Sequence, residues 1–104
     1  MVNLDSLNPG GVAHLNKDFL LSTNGSTNTT LAFPILEKGE NKQVNLLRIY
    51  NNLGQIVFEQ KAYQNDWEGQ HQSGHKLVAG TYFYSLTFGK QQPHYQSGKI
   101  VYTP

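Results

Sequence analysis

Apolar and polar side chains alternate most regularly in the second half of the chain. Gly80-Thr81-Tyr82-Phe83-Tyr84-Ser85-Leu86-Thr87-Phe88 places Tyr82, Tyr84, Leu86 and Phe88 on one side and Thr81, Phe83, Ser85 and Thr87 on the other. Successive side chains of a strand point to opposite faces, so this run predicts a strand with one buried face. Residues 44–51 and 55–60 are β-rich runs separated by Asn52-Leu53-Gly54. That spacing predicts a hairpin with Gly54 at positive φ. In its first arm Leu47 and Ile49 share one face while Leu46, Arg48 and Tyr50 share the other. Apolar groups on both faces predict burial on both sides. Gly98-Lys99-Ile100-Val101-Tyr102 reads as a final strand.

The first half is less periodic. Asn8-Pro9-Gly10-Gly11 is a strong breaker, so residues 1–17 read as a linker or loosely attached edge segment and residues 18–104 as the folded domain. Asp18 to Ser22 is a short apolar run, and Thr23 to Thr30 is a polar loop of turn-forming residues. Leu31 to Leu36 predicts a strand, with Pro34 restricting it to an edge or a bulge. Lys38-Gly39-Glu40-Asn41 is a further turn. No stretch carries a helical apolar stripe with caps. Strands separated by turns every ~8–12 residues predict an all-β antiparallel sandwich of about seven strands.

Composition narrows the function. The 104 residues suit one domain. Charged residues are 14% of the chain, and 10 Asn, 9 Gln, 7 Thr and 6 Ser supply much of the polar surface. Eight basic and seven acidic residues leave a net charge of +1, and no Lys/Arg run occurs. Phosphate neutralisation needs a basic patch, so nucleic acid is disfavoured as a partner, as is an anionic membrane. The absence of cysteine removes disulfides and thiolate zinc sites. No apolar run approaches the ~20 residues of a membrane-spanning helix. Met1 to Asp5 lacks the basic and apolar regions of a signal peptide, so if the parent protein is secreted this chain is expected to be a module excised from it.

Candidate chemistry is sparse. Trp67 is either a core aromatic beside a turn or a stacking platform for a sugar or partner. Asp66 and Glu68 flank it and, in extended chain, would lie about 7 Å apart on one face. That is the carboxylate separation of inverting glycosidases, though a Gly-bounded turn suits hydrogen bonding better than a catalytic cleft. A weak cation site on this pair is a further reading. His71 and His75 have the spacing of a helical metal pair, but Gly69 and Gly74 argue against a helix and therefore against a metal. No nucleophile elbow accompanies the Ser, His and Asp residues. Asn24-Gly25-Ser26 and Asn28-Thr29-Thr30 are formal glycosylation sequons. No cofactor, metal or catalytic residue is implied.

Four segments in register carry a resemblance. Leu47-Arg48-Ile49-Tyr50-Asn51-Asn52-Leu53-Gly54-Gln55-Ile56-Val57-Phe58-Glu59 is followed by Tyr63-Gln64-Asn65-Asp66-Trp67-Glu68-Gly69. Gly74-His75-Lys76-Leu77-Val78-Ala79-Gly80-Thr81-Tyr82-Phe83-Tyr84 and then Gly98 to Tyr102 complete the set. Together they resemble the gliding motility-associated C-terminal domain, the type B sorting domain of type IX secretion. The chain departs from that pattern at Asn52-Leu53, where the family has Arg-Trp, and in the 24–30 loop, which lacks acidic residues. The resemblance implies an immunoglobulin-like sandwich and a non-catalytic secretion and sorting module. Such a module is joined to an N-terminal cargo and recognised by the outer-membrane translocation machinery. It also implies passage through the periplasm to the cell surface or medium, without membrane insertion. Recognition would be of a folded surface. Its candidate contacts are Arg48, Tyr50, Asn52 and Leu53 on the exposed side of the hairpin, and Lys99 and Val101 on a final strand expected to offer an edge. Trp67, Gly69, Gly80, Tyr82 and Tyr84 are the structural residues of the motif. An adhesion or carbohydrate-binding sandwich and a structural spacer remain alternatives at this point.

Overall fold

A computed structural model of the chain describes residues 14–23 and 29–104. The breaker at 8–11, most of the 23–30 loop and its first sequon lie outside the described residues. The strands are β1 (His14–Asn16), β2 (Phe19–Ser22), β3 (Asn45–Tyr50), β4 (Ile56–Lys61), β5 (Gly80–Phe88) and β6 (His94–Thr103). They form one mixed sheet in the order β1-β6-β5-β3-β4, with β2 also on β6. The all-β class is the one the alternation predicts. Among the described residues there are six strands and two isolated bridges, Leu31 to Trp67 and Gln70 to Lys76. Strands β3 to β6 pair antiparallel, whereas β1 and β2 pair parallel to β6.

Several expectations are corrected. The final strand is not an edge, because β1 and β2 occupy its outer side in succession. Burial at the hairpin is one-sided: Leu47 and Ile49 are buried, Leu46 and Tyr50 half-buried and Arg48 exposed.

The β5 alternation explains the core. Tyr82, Tyr84, Leu86 and Phe88 are all buried, and register aligns them with Leu47 and Ile49 on β3 and Ile100 on β6. A second layer without regular strands covers this face. It contains the 3-10 helices Pro34–Glu37 and Gly39–Lys42 and the irregular chain 62–79. Residues 31–36 therefore do not form the expected strand. Pro34 lacks an N–H for a ladder but has the φ that opens a helical turn, and Leu36 N–H bonds back to the Phe33 carbonyl at 3.0 Å. Aromatic rings lock the layers. Phe33 lies 5.2 Å from both Phe19 and Tyr84, and Trp67 lies 6.1 Å from Phe58 and 6.3 Å from Tyr102. Each such pair contributes ~0.5–1.5 kcal/mol beyond area burial.

The link between β1 and β2 passes closely against Gly98 at the edge of β6. A Cβ there would collide with the Lys17 carbonyl carbon and oxygen. The same carbonyl accepts the Tyr84 hydroxyl at 2.7 Å, and Asp18 Oδ1 accepts the Lys99 N–H at 3.0 Å. Gly98 is thus required for space, which lets two short parallel strands share one edge.

Candidate recognition surface

The opposite face of the sheet carries the side chains that β3, β5 and β6 turn away from the core. Register sets Tyr50 opposite Ile56 on one side and Phe83 on the other, with Lys99 next across β5 and β6. Thr81 faces Val101, which faces Leu20 on β2. The apolar side chains Ile56, Tyr50, Phe83, Val101 and Leu20 therefore run across β4, β3, β5, β6 and β2 as a stripe that steps diagonally from Phe83, opposite Lys99, to Val101. Leu20, Ile56 and Phe83 are 62%, 51% and 44% exposed. Isolated exposed apolar residues are ordinary, whereas a row of them makes this face the candidate interaction surface.

Charge and hydroxyls border the stripe. Arg48 Nε donates to Glu59 Oε2 across the hairpin, and this hydrogen bond and charge raise the guanidinium above its ordinary range. Arg48, Lys61 and Lys99 share this face with Glu59, and the exposed Asp18 lies beside Lys99, whose backbone N–H its Oδ1 accepts. Tyr50 Oη lies 3.1 Å from Ser85 Oγ, and His14 Nε2 lies 2.8 Å from Ser97 Oγ.

The structure thus brings Arg48, Tyr50, Lys99 and Val101 onto one face. Asn52 and Leu53 stand at the hairpin tip, with Leu53 among the most exposed apolar residues. Asn51 builds that tip. Its Oδ1 accepts the N–H groups of Leu53 and Gln55 at 2.9 and 3.0 Å, while Gly54 sits at φ 81°. Leu20, Ile56 and Phe83 were not among the sequence candidates. The signal for Phe83 was its position between Tyr82 and Tyr84: when those two are buried, alternation turns Phe83 outward.

The motif around Trp67 belongs to the core. Trp67 is fully buried, and its indole N–H donates to the Gln70 carbonyl at 2.7 Å. That placement removes it as a stacking platform. Tyr82 and Tyr84 are buried in the sheet, and desolvation raises both phenols. Gly69, at φ 96°, lies against the Tyr102 ring with no room for a Cβ. Gly80 starts β5 at φ 154°. Asp66 and Glu68 are exposed, and the Glu68 N–H bonds Gln70 Oε1 at 2.9 Å. His71 and His75 sit in a tight turn, their rings stacked 4.6 Å apart. No group of three or more metal-ligating side chains occurs among the described residues.

The sheet, its covering layer and its outward face define an all-β domain. Residues 15–102 match the model of the CHU_C type IX secretion signal domain, and the chain belongs to that family. No curated protein matches it. A solved structure containing CBM51-2 in complex with GlcNAc and INT domains from Clostridium perfringens ZmpB is similar at 14% identity and a TM-score of 0.48. That similarity covers 94% of this chain and 21% of that one. This chain thus spans about a fifth of the protein in that structure. No helix among the described residues is long and apolar enough to cross a membrane.

Proposed function

We propose that the domain is a non-catalytic C-terminal sorting module that directs a larger N-terminal cargo through type IX export to the cell surface or medium. The observation that carries this reading is the family match over residues 15–102. The surface chemistry supports recognition in the folded state. The stripe Ile56–Tyr50–Phe83–Val101–Leu20 exists only when five strand positions are assembled. A receptor that contacts it reads tertiary structure rather than a linear peptide. The exposed Lys61 and Lys99 on the border of the stripe offer contacts to acidic groups on the receptor. Surface anchoring or release of the cargo would follow translocation.

The test is a fusion. Residues 14–104 are joined to the C-terminus of a periplasmic reporter that has its own signal peptide, in a bacterium with type IX secretion. Reporter is measured in the medium, on the surface and in the periplasm. Export in wild-type cells and retention in secretion-deficient cells supports the reading. A folded fusion that stays periplasmic with its native partner genes present overturns it.

A further inference from the structure

The free side of β4 is closed by a side chain and a turn rather than by another strand. Gln72 N–H donates to the Val57 carbonyl at 2.8 Å, and Gln72 Oε1 accepts the Glu59 N–H at 2.7 Å. One glutamine thus satisfies two edge groups that an added strand would otherwise use. Gln72 is held by the turn 71–75. His71 N–H donates to the His75 carbonyl and Gly74 N–H to the His71 carbonyl, both at 2.8 Å.

The imidazoles complete the turn in a directional chain. Ser73 N–H donates to His71 Nδ1 at 3.0 Å, so that nitrogen presents its lone pair. Ser73 Oγ lies 2.9 Å from His71 Nδ1 and 2.9 Å from His75 Nδ1. With His71 Nδ1 an acceptor, the hydroxyl donates to His71 and accepts from His75 Nδ1–H. The bonding pattern therefore assigns the Nε2–H tautomer to His71 and an Nδ1–H to His75.

Protonation affects the two rings differently. A proton on His71 Nδ1 would face the Ser73 N–H, donor against donor. A charge on either ring also faces the stacked ring of the other. A proton on His75 would add to Nε2 and leave its bond to Ser73 intact. The charged side chains on the elements around the turn are Glu59 and Lys61 on β4, Arg48 paired to Glu59, and Glu68 and Lys76 on the limbs of the turn. Glu59 is engaged by Arg48.

We propose that the 71–75 turn is an acid-sensitive cap on the β4 edge, released by protonation of His71, the ring whose Nδ1 accepts the Ser73 N–H. Release withdraws Gln72 and exposes the Val57 carbonyl and Glu59 N–H, the kind of groups through which an edge accepts an extended chain.

Amide hydrogen exchange on the 104-residue chain at about pH 7.5 and about pH 5, corrected for intrinsic rates, tests this across the imidazole range. Protection of the Glu59 and Gln72 amides should fall about tenfold on acidification, the scale of one lost hydrogen-bond network. His71→Asn supplies a side-chain oxygen that bonds the N–H two residues on and does not titrate. It should keep protection at both pH values, whereas His75→Gln should keep the fall. Equal wild-type protection at both pH values, or an undiminished fall in His71→Asn, overturns the proposal. Long-range proton–nitrogen spectra of the wild type at pH ~7.5 give a readout independent of any variant. An Nε2–H tautomer at His71 supports the assignment, and an Nδ1–H tautomer there rejects it.

Discussion

The Tyr63 hydroxyl accepts the Trp67 N–H at 2.8 Å and donates to the Leu31 carbonyl at 2.6 Å. The Leu31 N–H donates back to the Trp67 carbonyl at 3.0 Å, which closes the isolated bridge between the two covering segments. One phenol therefore ties residue 31 to residue 67 inside the core. Tyr63→Phe should destabilise the domain by about 2–4 kcal/mol, since each buried backbone group left unpaired costs ~1–3 kcal/mol. Urea denaturation checks this. A change below ~0.5 kcal/mol would mean that water satisfies the bridge.

The same burial sets an alkaline limit. Desolvation, with the Asp66 charge adding to it, holds the Tyr63 hydroxyl well above the usual phenol range, and desolvation also raises Tyr82 and Tyr84. Unfolded tyrosine ionises near pH ~10. Above that pH the folded state binds more protons than the unfolded one, so stability falls as pH rises. The contribution is fully present below pH ~10. Stability measured in urea from pH ~8 to ~11 should stay flat and then decline, at up to ~1.4 kcal/mol per pH unit per tyrosine. Tyr63→Phe should show a shallower decline. An equal slope in both proteins would assign the effect to other groups.

Local pattern made the hairpin and β5 legible, because alternation and a Gly-containing turn are short-range signals. The parallel placement of β1 and β2 was not legible. Their partners lie about eighty residues away, as in His14 with Tyr95, and nothing within His14–Ser22 marks that pairing. The error at 31–36 has a similar origin. Leu31, Phe33 and Leu36 are all buried, which in sequence resembles a strand, but they are buried by a 3-10 turn beneath the aromatic layer. The candidate recognition face was half legible. Tyr50, Lys99 and Val101 could be placed by alternation, whereas Leu20 joins the stripe only through its pairing with Val101.

Two glycines should respond differently to substitution. Gly98→Ala inserts a methyl into the Lys17 carbonyl and should cost about 1–3 kcal/mol, the range for overpacking. Gly54 has open space but a left-handed φ of 81°. Gly54→Ala should cost ~1–2 kcal/mol through backbone strain. Asn tolerates that conformation, so Gly54→Asn should recover much of the loss and Gly98→Asn none. Exchange should rise over residues 14–22 in the Gly98 variants alone. Uniform loosening in both series would remove the close approach of Lys17 as the reason for Gly98.

Trp67→Ala should cost about 3–5 kcal/mol, the range for deleting a buried large aromatic. The indole is packed between Phe58 and Tyr102 and bonded to Gln70, and it is the sole tryptophan. Its fluorescence gives the unfolding signal in the wild type, and circular dichroism serves for the variant. A loss below ~1 kcal/mol would show that the covering layer does not depend on this ring and would reopen a binding role for Trp67.

The open face should matter for export without mattering for folding. Phe83 and Leu20 are exposed, so Phe83→Ser and Leu20→Ser should each change stability by less than ~1 kcal/mol. Lys99→Glu, also exposed, should do the same while reversing the charge beside Phe83. In the reporter fusion, truncating the central aromatic of a docking patch should lower export on the order of tenfold. Lys99→Glu should slow it further in low-salt medium than in high, because screening weakens exposed charge contacts. Glu37→Lys, on the covering layer, is the control and should leave export unchanged. Export, melting temperature and periplasmic level are measured for each variant, so that loss of fold is separated from loss of recognition. If Phe83→Ser and Lys99→Glu fold and are exported like the wild type, the receptor does not use this face. Export would then depend on another folded surface, and the 51–55 tip carrying Leu53 would be next to mutate.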